Sequence, residues 1–155
     1  MIVNKNDLEY KIKRFNDLSL DELYEIVRVR YEVFVCDQKI TCENDFDYKD
    51  KECYHLIVSY KDKVVGYSRI LQRGLSYKEP SIGRVLVLKE YRKNNIAQLM
   101  MEKAVDFIVN ELKEEEITIS AQLYVKRLYE NVGFKAISEP YIEAEIEHVK
   151  MKYKK

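Results

Sequence analysis

The segment spanning residues 85–100 constrains the fold most, because an apolar stretch there runs into a basic, asparagine-rich turn that opens an amphipathic helix. The start of a helix leaves backbone N–H groups without intrahelical partners and carries partial positive charge, so it binds anions such as phosphate. Asn95 tolerates the left-handed backbone conformation, and Ala97 has almost no side chain to keep a ligand away from the backbone. The pattern therefore predicts a strand, an anion-binding turn and a helix. From these residues alone, a solvated basic turn before a surface helix is the alternative.

The turn resembles the acyl-CoA signature of the GNAT superfamily of N-acetyltransferases, in which Arg/Gln-x-x-Gly-x-Gly/Ala follows a strand. Asn95 replaces the first glycine of that signature, and asparagine is a frequent substitute for glycine where φ is positive. The resemblance implies acetyl-CoA as co-substrate. The residues it assigns to acetyl-CoA are Val85, Leu86, Val87, Arg92, Lys93, Asn94, Asn95, Ile96, Ala97 and Gln122.

A second segment, Tyr129-Glu130-Asn131-Val132-Gly133-Phe134, ends a short helical pattern, with Gly133 placed to cap it. It resembles the Tyr-x-x-x-Gly-Phe pattern of the same family, in which the tyrosine lies beside the thioester sulfur. Gln122 stands seven residues earlier, where that family usually has an asparagine. The two segments occur in family order, which makes the resemblance more specific than either segment alone.

The composition indicates a globular domain, since 46% of the 155 residues are apolar and 35% are charged, with 27 acidic and 27 basic side chains. Zero net charge without a basic stripe argues against a nucleic-acid-binding protein. No apolar run approaches the roughly 20 residues of a membrane span, and the first residues lack the apolar core of a signal peptide. We expect one soluble cytoplasmic domain over residues 1–155, with no nucleic-acid or membrane partner. The oligomeric state stays open, a homodimer included.

The three cysteines and two histidines do not have the spacing of a metal site or a disulfide framework. Cys36 follows the apolar pair Phe34-Val35, so we expect a small buried residue there. No metal is predicted.

The remaining pattern predicts an α/β (α+β) domain in which a mixed central sheet is flanked by helices. Ser19 and Glu22 form a capping box for a helix whose apolar face is predicted to hold Leu20, Leu23, Val27, Tyr31 and Phe34. A polar, acidic loop is expected at 37–53. Strands are predicted at 9–15, 54–60, 64–71, 82–88, 117–121, 134–137 and 146–153. This order resembles the GNAT fold, which implies that the strand before the phosphate turn and the next strand separate to admit the pantetheine arm.

A third set of patches resembles the ElaA-like branch of these acetyltransferases. Its members are the run from Arg30 to Gln38 (Arg-Tyr-Glu-Val-Phe-Val-Cys-Asp-Gln), Asp45 and Asp47, Arg69, Gly83-Arg84-Val85, and His148. Asp37 replaces a glutamate of that branch.

Three arginines lie within apolar patterns, namely Arg30 on a helix and Arg69 and Arg84 on strands. A buried guanidinium must be paired, so one hypothesis is internal pairing with acids of the 37–53 loop, with Asp45 and Asp47 as the first choices. The other is that one or two of the arginines bind an acidic group of the acceptor, since arginine fits carboxylates in a bidentate manner.

Acyl transfer to an amine needs a neutral nitrogen, a donor for the developing oxyanion and an acid for the leaving sulfur. The resemblance implies direct transfer in a ternary complex. Tyr129 is the predicted acid, with a packed structural tyrosine as the alternative, and the backbone N–H of Leu86 or Val87 is the predicted oxyanion donor. His148 is the predicted base, although a structural histidine, a water-mediated role for Glu147 or an amine that arrives neutral would also fit. His55 is predicted to be structural.

Two other functional classes remain open, and the expected acceptor, a small-molecule amine, is not identified. Acyl-homoserine-lactone synthases share the fold and a similar Arg-x-x-x-Phe helix with acidic loop residues, but usually carry a tryptophan that this chain lacks. A non-enzymatic CoA-binding module is the second alternative.

Overall fold

The computed structural model describes all 155 residues. Its helices are α1 (Leu20–Arg30), α2 (Ile96–Asp106) and α3 (Lys126–Glu130). Its strands are β1 (Leu8–Arg14), β2 (Tyr54–Tyr60), β3 (Lys63–Leu71), β4 (Ser81–Val87), β5 (Glu116–Gln122), β6 (Lys135–Ala136), β7 (Tyr141–Glu143) and β8 (Ile146–Lys154). No helix has both the length and the apolar character needed to cross a bilayer.

The strands form two four-stranded antiparallel sheets. The first has the order β1-β2-β3-β4, and in the second β8 pairs with β5, β6 and β7. The predicted fold class and order of elements are confirmed. Strand β7 was not predicted, because three residues with two exposed side chains give no alternating pattern.

The capping box that opens α1 is confirmed: the Ser19 side chain accepts from the Glu22 N–H, and the Glu22 side chain accepts from the Ser19 N–H. The predicted apolar face of α1 is partly wrong, because Leu20 is 87% and Tyr31 60% exposed. The buried face consists of Ile26, Val29, Arg30, Val33 and Phe34. Two adjacent apolar stripes fit the same helical spacing, and only packing against the sheet selects one of them.

The prediction that Cys36 is buried was wrong, since its side chain is exposed. After Arg30 the helix widens into a π-helical segment, Tyr31–Asp37, which ends with the Gln38 N–H bound to the Val33 carbonyl. The wider turn changes the angular position of the last residues, so Cys36 faces outward. The buried cysteine is Cys53.

Strand β4 contains a bulge that the two-residue alternation did not predict. Arg69 pairs with Gly83 and Tyr67 with Leu86, so Arg84 and Val85 together face one residue of β3. Arg84 has a φ of 50°, outside the extended region. The sequence pattern suggested that Arg84 shares one face of a regular strand with its apolar neighbours. Because of the bulge, it does not.

The 37–53 loop is held against the sheet by a closed set of ion pairs that we name the Arg–Asp ring. Arg30 binds Asp45 and Asp50, each at 2.8 Å; Arg69 binds Asp47 at 2.6 Å and Asp50 at 3.1 Å. Arg84 lies 2.7 Å from Asp45 and 3.6 Å from Asp47. Each arginine thus contacts two aspartates and each aspartate two arginines, so three positive and three negative charges balance.

A second buried network supports the same loop. The His55 Nδ1 lies 2.6 Å from the Tyr67 hydroxyl and its Nε2 lies 2.7 Å from the Asp50 carbonyl. Burial lowers the pKa of His55 and raises that of Tyr67, so both side chains stay neutral. The Tyr67 hydroxyl then donates to Nδ1 while Nε2–H donates to the carbonyl. The predicted structural role of His55 agrees with this arrangement.

Replacing Asp50 should destabilise the fold strongly. The substitution Asp50→Asn leaves Arg30 and Arg69 buried with one carboxylate fewer, and breaking a buried ion pair costs about 3–5 kcal/mol. We expect a lower midpoint in urea unfolding. The matched control is Asp37→Asn, which touches only the exposed Arg92 at 3.5 Å and should be nearly neutral. Equal midpoints for the two variants would contradict the role of the ring.

The same ring predicts acid sensitivity. Burial alone would raise the pKa of Asp50, but the hydrogen bonds and charges of Arg30 and Arg69 outweigh it and lower that pKa. The stabilisation is therefore complete above the ordinary aspartate pKa of about 3.9 and is lost as the pH falls through the lower folded-state value.

Candidate active site

The candidate site is the gap between the two sheets. Strands β4 and β5 are joined where they begin, through the Thr118 N–H and the Pro80 carbonyl at 3.0 Å. No ladder continues from this bond, and both strands end beside one cavity of about 710 Å³, which Val87 and Gln122 line together. The cavity has the size of a small-molecule site. The two strands therefore run in the same direction and diverge, which accounts for the mixed character predicted for the sheet.

The backbone of β4 distinguishes between the two predicted oxyanion donors. The Leu88 N–H donates to the Val65 carbonyl at 2.8 Å, so alternation along an antiparallel pair directs the Leu86 N–H to β3 as well. The N–H and C=O of Val87 then face the gap. Consistent with this, Arg92 Nε reaches the Val87 carbonyl at 2.9 Å. Val87 is the residue whose N–H remains free to act as the donor.

The turn before α2 has the geometry expected of a phosphate site. Asn95 has a φ of 64° and Lys93 a φ of 65°, both left-handed. The Asn95 side chain makes no cap hydrogen bond, so the first N–H groups of α2, including that of Ala97, keep no intrahelical partner. A cavity of about 300 Å³ lies against the turn and is lined by Lys93, Asn95, Ile96 and Ala97 among others. The glycine that the family signature has here is thus replaced without loss of the backbone conformation.

The other two residues of the turn also make contacts within the protein. Asn94 accepts from the Val3 N–H at 2.9 Å and donates to the carbonyls of Met1, Tyr91 and Arg92 at 2.9 to 3.1 Å. Its side chain is therefore engaged within the protein and ties the N-terminal segment to the turn. Arg92, whose side chain is 43% exposed, lines both cavities and contacts the Val87 carbonyl and Asp37.

Gln122, predicted to bind the cofactor, lines the cavity and is paired with Gln38. The two amides exchange hydrogen bonds of 3.0 and 3.2 Å, and Gln38 also reaches the Tyr124 hydroxyl at 3.2 Å. This pair connects the end of the π-helical segment Tyr31–Asp37 to β5 across the gap. The contribution of Gln38 was not predicted, since nothing in its neighbourhood in sequence points to β5.

Tyr129, the predicted acid, is 6% exposed and lines the cavity. It lies in α3, and its ring packs edge-on against Phe134 at 6.0 Å between centroids. Burial raises its pKa above the ordinary tyrosine value, and the nearby Tyr124 adds to the rise. The phenol therefore keeps its proton over the whole range in which the protein would work.

His148, the predicted base, also lines the cavity and is 6% exposed. Its Nδ1 lies 2.7 Å from the Ile146 carbonyl, so Nδ1 carries a proton and Nε2 faces Glu143 Oε2 at 3.4 Å. Glu147, the alternative named from sequence, is exposed on the other side of β8, away from the cavity. Glu143 is the carboxylate that lies beside the histidine in the structure, and no pattern in the sequence predicted this contact.

The three arginines predicted as acceptor ligands are all members of the Arg–Asp ring. Arg30 is 2% exposed and does not line the cavity, so its assignment as an acceptor ligand is corrected to internal pairing. Arg69 and Arg84 do line the cavity, but the ring aspartates hold them. Asp50, the third aspartate of the ring, was not singled out from the sequence.

One group of potential metal ligands, Asp50, Cys53 and His55, lies close together, yet these residues do not fit a metal ion. Both ring nitrogens of His55 are hydrogen-bonded and Asp50 is held by two arginines. Burial raises the pKa of the Cys53 thiol to about 12, so it stays protonated.

Comparison with known proteins identifies the family. A family model described as an acetyltransferase (GNAT) domain matches residues 22–155. A UPF0039 protein of Schizosaccharomyces pombe is 35% identical over 149 residues, covering 95% of this chain and 97% of that protein. The crystal structure of Escherichia coli ElaA superposes with a TM-score of 0.87 at 26% identity, covering 95% of this chain and 99% of that one. An acyl-CoA N-acyltransferase from Pseudomonas aeruginosa gives 0.85 at 28%, covering 94% and 99%.

The acyl-homoserine-lactone synthase LasI superposes with a TM-score of 0.74, but at 13% identity this likeness shows a shared fold alone. The family match covers most of the chain, and the relatives are matched over nearly their full length. The chain belongs to the GNAT acetyltransferase family and to its ElaA-like branch.

Proposed function

We propose that the protein transfers the acetyl group of acetyl-CoA directly to the amino group of a small molecule, with both substrates bound at once. The gap between β4 and β5 carries this proposal. The left-handed turn of α2 opens at one side of the gap, the Val87 backbone lies along it, and Tyr129 and His148 line the same cavity. Family membership supports acyl transfer, and the acetyl group and the amine are the parts that need a test.

Each group of the site suits one step of the proposed transfer. The Val87 N–H stabilises the carbonyl oxygen as it becomes negative, because that donor is preorganised and not used by β3. Tyr129 gives its proton to the departing sulfur, because burial keeps the phenol protonated until negative charge develops there. No covalent enzyme intermediate is required, in keeping with the buried, protonated state of Cys53.

Acetyl-CoA should stabilise the protein through the turn. A ligand at about one hundred times its dissociation constant adds about 2.7 kcal/mol, which corresponds to a rise in Tm of roughly 5–10 °C for a domain of this size. The substitution Ala97→Leu should abolish the rise, because its side chain would occupy the space beside the free N–H groups. Glu102→Leu, which adds the same side chain at an exposed position of α2, should keep it. A rise retained in Ala97→Leu would place the cofactor elsewhere.

Asn94 should affect the affinity for acetyl-CoA indirectly, because it holds the turn in its conformation. The substitution Asn94→Ala removes four hydrogen bonds that hold the turn and the N-terminal segment together. We expect the Kd for acetyl-CoA to rise about tenfold, which corresponds to roughly 1.4 kcal/mol. The measurement is isothermal titration calorimetry, with Asn110→Ala, an exposed residue of the helical segment Phe107–Glu111 that follows α2, as control. An unchanged Kd would show that the turn keeps its conformation without Asn94.

Removal of the Tyr129 hydroxyl should slow the chemistry without weakening the binding of acetyl-CoA. General acid catalysis contributes roughly 10²–10⁴-fold, so Tyr129→Phe should lower kcat by at least about a hundredfold. The matched control is Tyr31→Phe, because Tyr31 is exposed at the start of the π-helical segment that follows α1. If kcat is unaltered at every pH under conditions in which chemistry limits the rate, Tyr129 has no part in the mechanism.

A further inference from the structure

One face of the second sheet gathers polar side chains at the mouth of the cavity. The register pairs Gln122 of β5 with His148 of β8, and His148 with Tyr141 of β7. Because side chains alternate along a strand, Ser120 and Glu143 lie two residues away on the same face. The Tyr141 ring stacks on His148 at 6.2 Å, and the Ser120 hydroxyl bonds to both the Tyr141 hydroxyl and, at 3.3 Å, Glu143 Oε2.

A tight turn sets the position of Glu143. Ala144 and Glu145, the two residues between β7 and β8, have φ values of 50° and 63°. Two successive left-handed residues are the geometry of a two-residue hairpin turn, which fixes the pairing of Glu143 with Ile146. The carboxylate is thereby held beside the His148 ring and remains 47% exposed.

The contact between Glu143 and His148 is favourable only if a hydrogen atom lies between the two side chains. Since Nδ1–H is committed to the Ile146 carbonyl, a neutral His148 presents a lone pair at Nε2. A carboxylate oxygen 3.4 Å away is also an acceptor. Two acceptors that face each other repel unless a hydrogen lies between them. A bound ammonium group, which has three N–H donors and no acceptor, would satisfy both.

The charges of the cavity favour the same ligand. Arg69 and Arg84 are neutralised by the Arg–Asp ring, and Arg92 faces Asp37 at 3.5 Å, whereas Lys49 donates to the Ser76 hydroxyl at 2.9 Å and keeps its charge. Glu43 and Glu143 line the cavity without an ion pair to any lysine or arginine. Glu143 therefore attracts a cationic group to the His148 end of the cavity.

We propose that Glu143 and His148 form a subsite that binds the ammonium group of the acceptor and takes its proton, and that the acceptor is an alkyl amine. This assignment rests on the proposed acetyl transfer. His148 Nε2 accepts one N–H proton of the ammonium and passes this proton to the Glu143 carboxylate, which is exposed enough to release it to solvent. The neutral nitrogen forms a bond to the thioester carbon, the C–S bond breaks, and the sulfur receives the Tyr129 proton.

The binding half of the proposal is tested without turnover. The chain has two histidines, so ¹⁵N-histidine labelling gives two ring systems, and buried His55 serves as the internal reference. The probe is pentane-1,5-diamine, and pentane-1,5-diol, which has the same length without the ammonium groups, is the matched control. We expect a saturable shift of the His148 Nε2 resonance with the diamine, and at least tenfold weaker binding of the diol. No shift with the diamine, or equal binding of the two probes, would overturn the assignment.

The variant Glu143→Gln keeps the shape of the side chain and removes its charge. It should lose the diamine-dependent shift and lower kcat/KM for the diamine by at least tenfold, while the KM for acetyl-CoA stays unchanged. The matched control is Glu147→Gln, on the same hairpin but facing away from the cavity, which should behave as the wild type. If Glu143→Gln transfers acetyl groups as well as the wild type, the subsite is wrong and the proposed function stands. If the wild type binds the diamine but acetylates no amine, the subsite stands and the proposed function falls.

Discussion

The separation of β4 from β5 is the constraint on which the site depends. Two strands that lie side by side in the same direction would normally complete a hydrogen-bonded ladder, yet here the bond from Thr118 to Pro80 has no successor. The backbone groups of Val87 are left facing a gap, and an unpaired peptide group in a dry groove costs free energy. Arg92 satisfies the Val87 carbonyl in the free protein. A ligand with amide groups could complete the same ladder, so the unfinished sheet provides the recognition surface.

The Arg–Asp ring decides what kind of charge the acceptor end presents. Three arginines on α1, β3 and β4 would make the cavity strongly positive if they were free. The loop supplies three aspartates in return, and the hydrogen bonds and charge of Arg69, together with the charge of Arg84, lower the pKa of Asp47 against the opposing effect of burial. Because the six charges cancel, charged side chains outside the ring, such as Lys49, Arg92, Glu43 and Glu143, set the local field. The loop therefore also influences the charge of the cavity.

Much of this arrangement could be predicted from the sequence, because it depends on local rules. The capping box of Ser19 and the left-handed Asn95 follow from short-range chemistry, and the structure has both. The errors arose where local patterns are degenerate. Two stripes of α1 fit the helical period equally well, so the exposure of Leu20 was decided by the sheet. Cys36 turned outward because the helix widened, which no periodicity reports.

The site itself was harder to predict, because its polar contacts join distant segments. Gln38 and Gln122 are separated by 84 positions and meet only when the two sheets face each other. Glu143 depends on the register of a three-residue strand that leaves no alternating pattern. By contrast, Tyr129 and His148 could be proposed from the sequence because each stood in a recognisable motif or was the only titratable group of its kind nearby, and both line the cavity. Motifs in the sequence indicated candidate catalytic residues, whereas the strand register determined which side chains lie next to them.

The proposed acid and the proposed base are held by means that do not depend on each other or on the ring. Burial within α3 keeps the Tyr129 proton in place, whereas a backbone carbonyl of β8 fixes the His148 ring. The two groups belong to elements on the same side of the gap, and Val87 faces them from β4. Direct transfer needs this arrangement, since the nitrogen must lose its proton at one end of the reacting centre while the sulfur gains one at the other. The second sheet and α3 thus carry the proposed base and acid, and the first sheet presents the Val87 N–H to them across the gap.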